Sequence, residues 1–416
     1  MKTALSPFRI VAAGLAAVAA FASGVAAKES AAPGYTLHEW GTFTSLAGSD
    51  GRLLPGMDRE EETLPPFVFS HDGMENQGPL SHLLLRKGWR RPLHNVRVKM
   101  ETPVLYFYAP KAFQATVEVG FEGGSISQWY PQRSGGETPP PARIVNREIV
   151  GGDIDFANTH HGSIRWDVNV LDPDPLHDRL VFKGRETPSW LHPRMTGSNV
   201  LSTAPGQYEK YLFYRGVGSF PLPLELRFTG PASLTIANTA AETIPHLLIF
   251  HRDRERGVTR FALESNLSGQ SNLTVELEKL PQPQDWSREL YDGLASVLEA
   301  SGLYRREAES MIQTWWNSYF ATPGLRVFWV VPAPITESIL PLSVNPAPSE
   351  LVRVLVGRSE ILEPAFEREL LAQAAEDPAL ARYASDRYFD AYVARVAALQ
   401  DGSAAPETGT EIEAGH

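Results

Sequence analysis

Across the first two thirds of the chain, apolar residues recur at every second position. Between Ser163 and Val170, Ile164, Trp166, Val168 and Val170 alternate with Arg165, Asp167 and Asn169, as in a strand with one buried face. Val96, Val98 and Met100 alternate with Arg97, Lys99 and Glu101, Val117 and Val119 flank Glu118, and Leu273, Val275 and Leu277 flank Thr274 and Glu276. Further strands are predicted at Tyr35 to Ser45, Pro103 to Tyr108, Glu209 to Tyr214, Leu222 to Phe228, Ser233 to Asn238, His246 to His251 and Thr259 to Glu264. Gly, Pro and Asn punctuate these runs and no helical period lies between them. The pattern predicts antiparallel sheets packed as a β-sandwich.

The period changes after Pro281-Gln282-Pro283. Leu290, Leu294, Val297 and Leu298, then Ala308, Met311, Ile312, Trp315 and Tyr319, fall at helical spacing, which predicts helices over Trp286 to Ala300 and Tyr304 to Phe320. A strand at Leu325 to Val331 follows, then a proline-rich loop, a second strand at Leu351 to Val356, and helices at Pro364 to Ala375 and Pro378 to Leu399 that open on proline. The fold class expected is therefore α+β, with a sandwich-like part over 28–280 and a helix-rich part over 281–400. Residues 401–416 carry almost no large apolar side chain and read as a disordered tail.

The first 27 residues stand apart. Lys2 and Arg9 lead into an Ala/Val/Leu run that ends in Val25-Ala26-Ala27, the layout of a secretory signal peptide cleaved before Lys28. The run is too short and too alanine-rich for a bilayer anchor, and no later segment is long and apolar enough to span one. The mature protein is expected to be periplasmic or secreted. The 416-residue chain has no cysteine, which removes disulfides, thiolate metal sites, a cysteine nucleophile and lipoprotein attachment. Its net charge of −11 argues against nucleic acid as a partner, since a negative field repels phosphate backbones. A local basic stripe, Arg86, Lys87, Arg90 and Arg91 around Trp89, reads either as a solvated surface or as a small site for an anionic glycan.

Three stretches carry a resemblance. His38-Glu39-Trp40-Gly41-Thr42-Phe43-Thr44, Lys99-Met100-Glu101-Thr102-Pro103-Val104-Leu105-Tyr106-Phe107-Tyr108 and Glu209-Lys210-Tyr211-Leu212-Phe213-Tyr214-Arg215-Gly216 resemble signatures of an exported bacterial family without an assigned activity, and Leu351 to Glu360 is similar to its closing motif. The resemblance implies that the mature chain is one unit. It transfers no chemistry.

Motifs of known chemistry are missing: there is no G-x-S-x-G elbow, no H-E-x-x-H and no glycine-rich phosphate loop. Adjacent His160 and His161 face opposite sides of an extended chain, His246 and His251 are an odd number apart, and the Asp172-Pro173-Asp174-Pro175 run departs from a calcium loop. No metal site is predicted and no cofactor is indicated. What stands out is charge embedded in apolar strands: His38, Glu39, Glu101, Glu209 and Arg215 need partners if buried. A shared network of His38, Glu101, Glu209 and Arg215 has the residue types for acid and base catalysis, and equally those of an inert core network. Trp40, Trp89, Tyr106 and Tyr214 are candidates for an exposed platform that stacks sugar rings, although aromatic residues more commonly pack in cores. Two functions are compatible with this pattern: a hydrolase of envelope or extracellular polymers, and a non-catalytic envelope protein that binds a glycan or another protein.

Overall fold

The computed structural model describes residues 34–60, 64–71, 91–140, 142–146, 148–182, 188–376 and 380–404. The expected signal peptide, Trp89 with most of the basic stripe, and all but the first four residues of the tail lie outside them. The protein is a mixed α and β structure in which strands predominate.

Among the described residues the main sheet has nine strands. In spatial order they are β18 (Thr259–Glu264), β17 (Leu247–Arg252), β20 (Gly324–Val330), β22 (Glu350–Ile361), β1 (Thr36–Ala47), β4 (Val98–Tyr108), β14 (Leu212–Gly218), β6 (Gly124–Tyr130) and β2 (Phe69–Ser70). The expected boundary near Pro281 does not divide this sheet. β20 and β22 come from the C-terminal part, and β22 runs parallel to β1 from Thr36 beside Glu350 to Ala47 beside Ile361. The sheet is thus mixed rather than purely antiparallel, because strands from opposite ends of the chain meet at its centre.

A second sheet has the order β13 (Gln207–Glu209), β12 (Leu201–Ala204), β11 (His161–Val170), β5 (Phe113–Glu122) and β21 (Leu342–Asn345), with β7 (Gly135–Gly136) paired to β11. A third joins β15 (Leu224–Phe228), β16 (Ser233–Asn238) and β19 (Ser271–Glu276). Two small pairs, β3 (Leu93–His94) with β10 (Ile154–Asp155) and β8 (Ala142–Val145) with β9 (Glu148–Gly151), complete the strands. Inward residues of these sheets, among them Phe43, Leu105, Phe107, Val119, Trp166, Leu226 and Trp329, form one continuous core. Burying that much apolar surface is the main source of stability in a chain with no disulfide to staple it.

The helices are α1 (Pro175–Val181), α2 (Pro188–Arg194), α3 (Trp286–Ala300), α4 (Arg305–Phe320), α5 (Ala333–Ile339), α6 (Pro364–Ala374) and α7 (Phe389–Gln400). The apolar faces of α3 and α4 cover the opposite side of the main sheet: Leu290, Leu298, Met311, Ile312, Trp315 and Phe320 pack with Trp40, Val104, Tyr106, Phe213 and Phe328. A third cluster places α6 and α7 against Leu46, Met57, Val96 and Val217.

Close packing across the central strands sets strict size limits. Gly357 on β22 lies directly opposite Trp329 on β20, and a Cβ at position 357 would lie inside the contact radius of the buried indole. Gly357→Ala should therefore destabilise the protein by about 1–3 kcal/mol, the usual cost of overpacking. Denaturant melts check this, and a melt unchanged from wild type would mean that the indole can shift freely.

Candidate functional site

The site begins at a fault in β4. Thr102 has φ of +49°, a left-handed conformation that a β-branched residue rarely adopts, and Pro103 follows it. The pairing of β1 with β4 shifts between Trp40 and Thr42, so that Trp40 lies opposite Val104 and Thr42 opposite Glu101. An extra residue in one strand reverses its alternation. Val98 and Met100 face the inter-sheet core before the bulge, and Leu105 and Phe107 face it afterwards. On the helix side the bulge brings Glu101 and Val104 together. Gly41 supplies the clearance, since a Cβ there would sit 2.8 Å from Pro103 Cα. The shift continues into β14 between Phe213 and Gly216. Strain of this kind persists only where the surroundings hold it, and it concentrates at functional sites.

Over the bulge lies a small cleft roofed by α2 and α4. Its lining includes Glu101, Thr102, Val104, Trp190, Phe213, Arg215, Thr314 and Ser318, and its volume is about 40 Å³. That is room for roughly three waters, and so for a functional group rather than a sugar ring. Trp315 Nε1 donates to Thr102 Oγ1 at 3.2 Å and steadies the strained residue from above. Glu101 Oε2 accepts from the Tyr319 hydroxyl at 3.1 Å, which also meets Thr42 Oγ1 at 2.6 Å. Glu101 Oε1 has Lys99 Nζ at 4.0 Å but no hydrogen bond. Burial opposes ionisation of Glu101, yet the positive field of Lys99, Arg358, Arg215 and Arg387 outweighs it and holds the carboxyl below its ordinary value. Arg215 is bridged to Glu60 through Nη1, and its buried Nε has no hydrogen bond.

The other expected site residues do not join this network. His38 Nδ1 lies 2.7 Å from Glu307 Oε2 near the start of α4, and Glu307 Oε1 accepts from the Tyr108 hydroxyl at 2.8 Å. Thr42, the residue opposite Glu101, lies four positions along β1 from His38, a distance of roughly 13 Å along a strand. Glu209 is sealed from solvent on β13, where Arg194 grips it with three hydrogen bonds of 2.7–3.1 Å. Burial pushes the Glu209 carboxyl up in pKa against the pull of Arg194 and the Lys210 amide. Glu39 accepts from the Tyr214 hydroxyl and from Arg353 Nε, both at 2.6 Å. The shared four-residue network therefore resolves into separate pairs, with only Glu101 and Arg215 meeting in one cleft.

Trp89 lies outside the described residues, and the other three aromatic candidates are core residues. Trp40, Tyr106 and Tyr214 have no exposed surface: Trp40 packs edge-on against Trp315, Tyr106 donates to the Pro193 carbonyl, and Tyr214 lies between the sheets. An exposed platform is not built from these three.

Sequence reasoning missed the partners supplied by α4 and β22. Arg326, Arg358 and Arg387 converge on the C-terminal carbonyls of α4: Arg326 donates to Tyr319, Thr322 and Pro323, and Arg358 and Arg387 donate to Ser318. Helix ends leave carbonyls unpaired and carry partial negative charge, so buried cations there are stabilising. With Glu307 near its start, α4 is pinned at both ends to the sheet, and the buried His38, Glu307, Arg326, Arg358 and Glu360 serve that purpose. No group of three or more metal-ligating side chains is found among the described residues, and no described helix is long and apolar enough to cross a membrane.

No protein-family profile matches the chain, and no curated protein does. Among solved structures it is similar to the yeast delta-COP-I mu-homology domain, alone and complexed with a Dsl1 WxWxV peptide. Identities are 8% and 7% and TM-scores 0.25 and 0.26, over 79% of this chain and 96% of the other. Similarity at that level defines neither a shared fold nor a shared activity.

Proposed function

We propose that this chain is an exported envelope protein that binds a glycan without cleaving it, with recognition centred on the bulge cleft. The observation that carries the reading is that Glu101 and Arg215 line one strained cleft, each with a buried polar atom left unbonded. A carboxylate beside a guanidinium offers an acceptor and a donor together, which suits a pair of sugar hydroxyls or an N-acetyl group. Hydrolysis by two carboxylates fits less well. A glycosidase needs a second carboxyl group within about 5–9.5 Å across the scissile bond, and Glu101 is the only carboxylate among the described residues lining the cleft. Its lowered pKa also makes it a poor proton donor at neutral pH.

The test is calorimetric titration of the mature protein with N-acetylglucosamine oligomers, dextran and alginate fragments, with reducing-end release followed in parallel. Saturable binding of one of these without release is expected, weakened by about tenfold or more in Glu101→Gln, where the charge-assisted contact is lost. Because the Glu101 carboxyl is held low, affinity should stay level as pH falls through the ordinary carboxylate range. Release of reducing ends that Glu101→Gln abolishes would establish the hydrolase instead, and no binding across the panel would refute glycan recognition.

A further inference from the structure

A second, larger cavity lies on the opposite side of the main sheet, with a volume of about 240 Å³. One wall is made of small residues at the ends of β1 and β22, Ser45, Ala47 and Ser359. The other is Leu222, Leu224 and Leu226, on or beside β15. The space exists because side chains at 45, 47 and 359 are short where neighbouring positions on the same face carry Phe43 and Trp329. Interiors are normally packed to crystal density, and an apolar cavity of only 150 Å³ admits benzene. The polar groups on this wall are oriented. Ser359 Oγ accepts from Trp329 Nε1 at 3.2 Å, which leaves its own proton to donate elsewhere. Ser45, two residues from Ala47, lines the same wall. The charged residues of the lining, Glu225 and Glu360, are both acidic.

We infer that this inter-sheet cavity is a binding site for a compact, uncharged molecule with an apolar body and one carbonyl or hydroxyl group. The leucine wall takes the body, and the two serine hydroxyls take the polar end. An anionic head is disfavoured by Glu225 and Glu360. A cationic head gains little, because Glu360 already faces Arg326 and Arg358. The pairing of one apolar wall with a few convergent polar groups is the usual make-up of a small-molecule site. It is independent of the bulge cleft, with which it shares no lining residue.

Three probes of similar size test it in solution: acetophenone, ethylbenzene and benzoate, titrated into the full chain by calorimetry. Saturable binding of acetophenone is expected, with ethylbenzene about tenfold weaker for want of an acceptor and benzoate weaker still. Ala47→Leu, which fills the space, should abolish binding, and Ser45→Ala should narrow the gap between acetophenone and ethylbenzene. If Ala47→Leu does not fold, Ser45→Ala and a crystal soaked with acetophenone decide, since density must appear between Ser359 and Leu224. Absence of saturable acetophenone binding to the wild type, equal affinity for all three probes, or binding that survives in folded Ala47→Leu would overturn the inference.

Discussion

Replacing Glu360 with glutamine is expected to destabilise the protein by about 3–5 kcal/mol, the cost of stripping the anion from a buried ionic cluster. Glu360 Oε1 accepts from Arg358 and from the Tyr388 hydroxyl at 2.7 Å, and lies 3.3 Å from Arg326 Nε and 3.7 Å from Arg387. Arg326 and Arg358 are almost fully buried. Without Glu360, three guanidinium groups confront one another where water cannot screen them, while they continue to cap α4. The same cluster predicts an acid limb to stability. Burial opposes ionisation of Glu360, but Arg326, Arg358 and Arg387 more than compensate, so its folded pKa falls well below the ordinary 4.5. A depressed carboxyl contributes stability that is fully present above the unfolded value and lost as pH falls below it toward the folded one. Glu101 adds a contribution of the same sign. Wild-type stability should then decline steeply below about pH 4.5, and Glu360→Gln should decline less steeply from a lower start. Urea melts across that range measure both quantities. A variant within about 1 kcal/mol of wild type at neutral pH would mean that the guanidinium groups are satisfied by the α4 carbonyls alone.

Legibility in the sequence followed the range of the interactions. Regular alternation identified Thr259–Glu264 to the residue, and helical spacing did the same for Trp286–Ala300, because both signals come from a single face meeting a single core. The apolar run that predicts β22 ends at Val356, yet the strand continues to Ile361. Arg358 and Glu360 look like the end of a strand and are instead buried within one, since their partners on β20 and before α7 complete the ion pairs. The helices α1, α2 and α5 each span seven residues, too few for a 3.6-residue period to emerge from the pattern. At the site, the burial of His38, Glu101, Glu209 and Arg215 followed from charge set within apolar runs. The identity of their partners did not, because Glu307 and Tyr319 are separated from them by hundreds of positions. One sign of the bulge was visible: Pro103 interrupts what is otherwise a single strand, and a proline there marks an irregularity.

Glu307→Leu should be as damaging as Glu360→Gln, and it separates a structural His38 from a catalytic one. Glu307 stands at the third helical position of α4, where it accepts the Tyr304 amide at 2.8 Å as half of a capping box. The same carboxylate meets His38 Nδ1 and the Tyr108 hydroxyl, and both His38 and Glu307 are almost wholly excluded from solvent. Leucine keeps the volume and helix propensity but leaves the buried His38 ring and two partly buried groups, the Tyr108 hydroxyl and the Tyr304 amide, without this acceptor. At roughly 1–3 kcal/mol for each unsatisfied group, a loss of about 3–5 kcal/mol is expected. His38→Leu alone should also be destabilising, since it takes one of three hydrogen-bond partners from the buried Glu307 carboxylate. The double variant should lose less than the sum, by about 1–3 kcal/mol, because replacing both buried partners with apolar groups removes the unsatisfied polar group that each single change leaves. Glycan binding at the bulge cleft should persist in every variant that folds, because neither residue lines that cleft. If His38→Leu instead folds with wild-type stability and loses binding or turnover, the His38–Glu307 pair belongs to the functional site, and the anchoring role of α4's N-terminus is wrong.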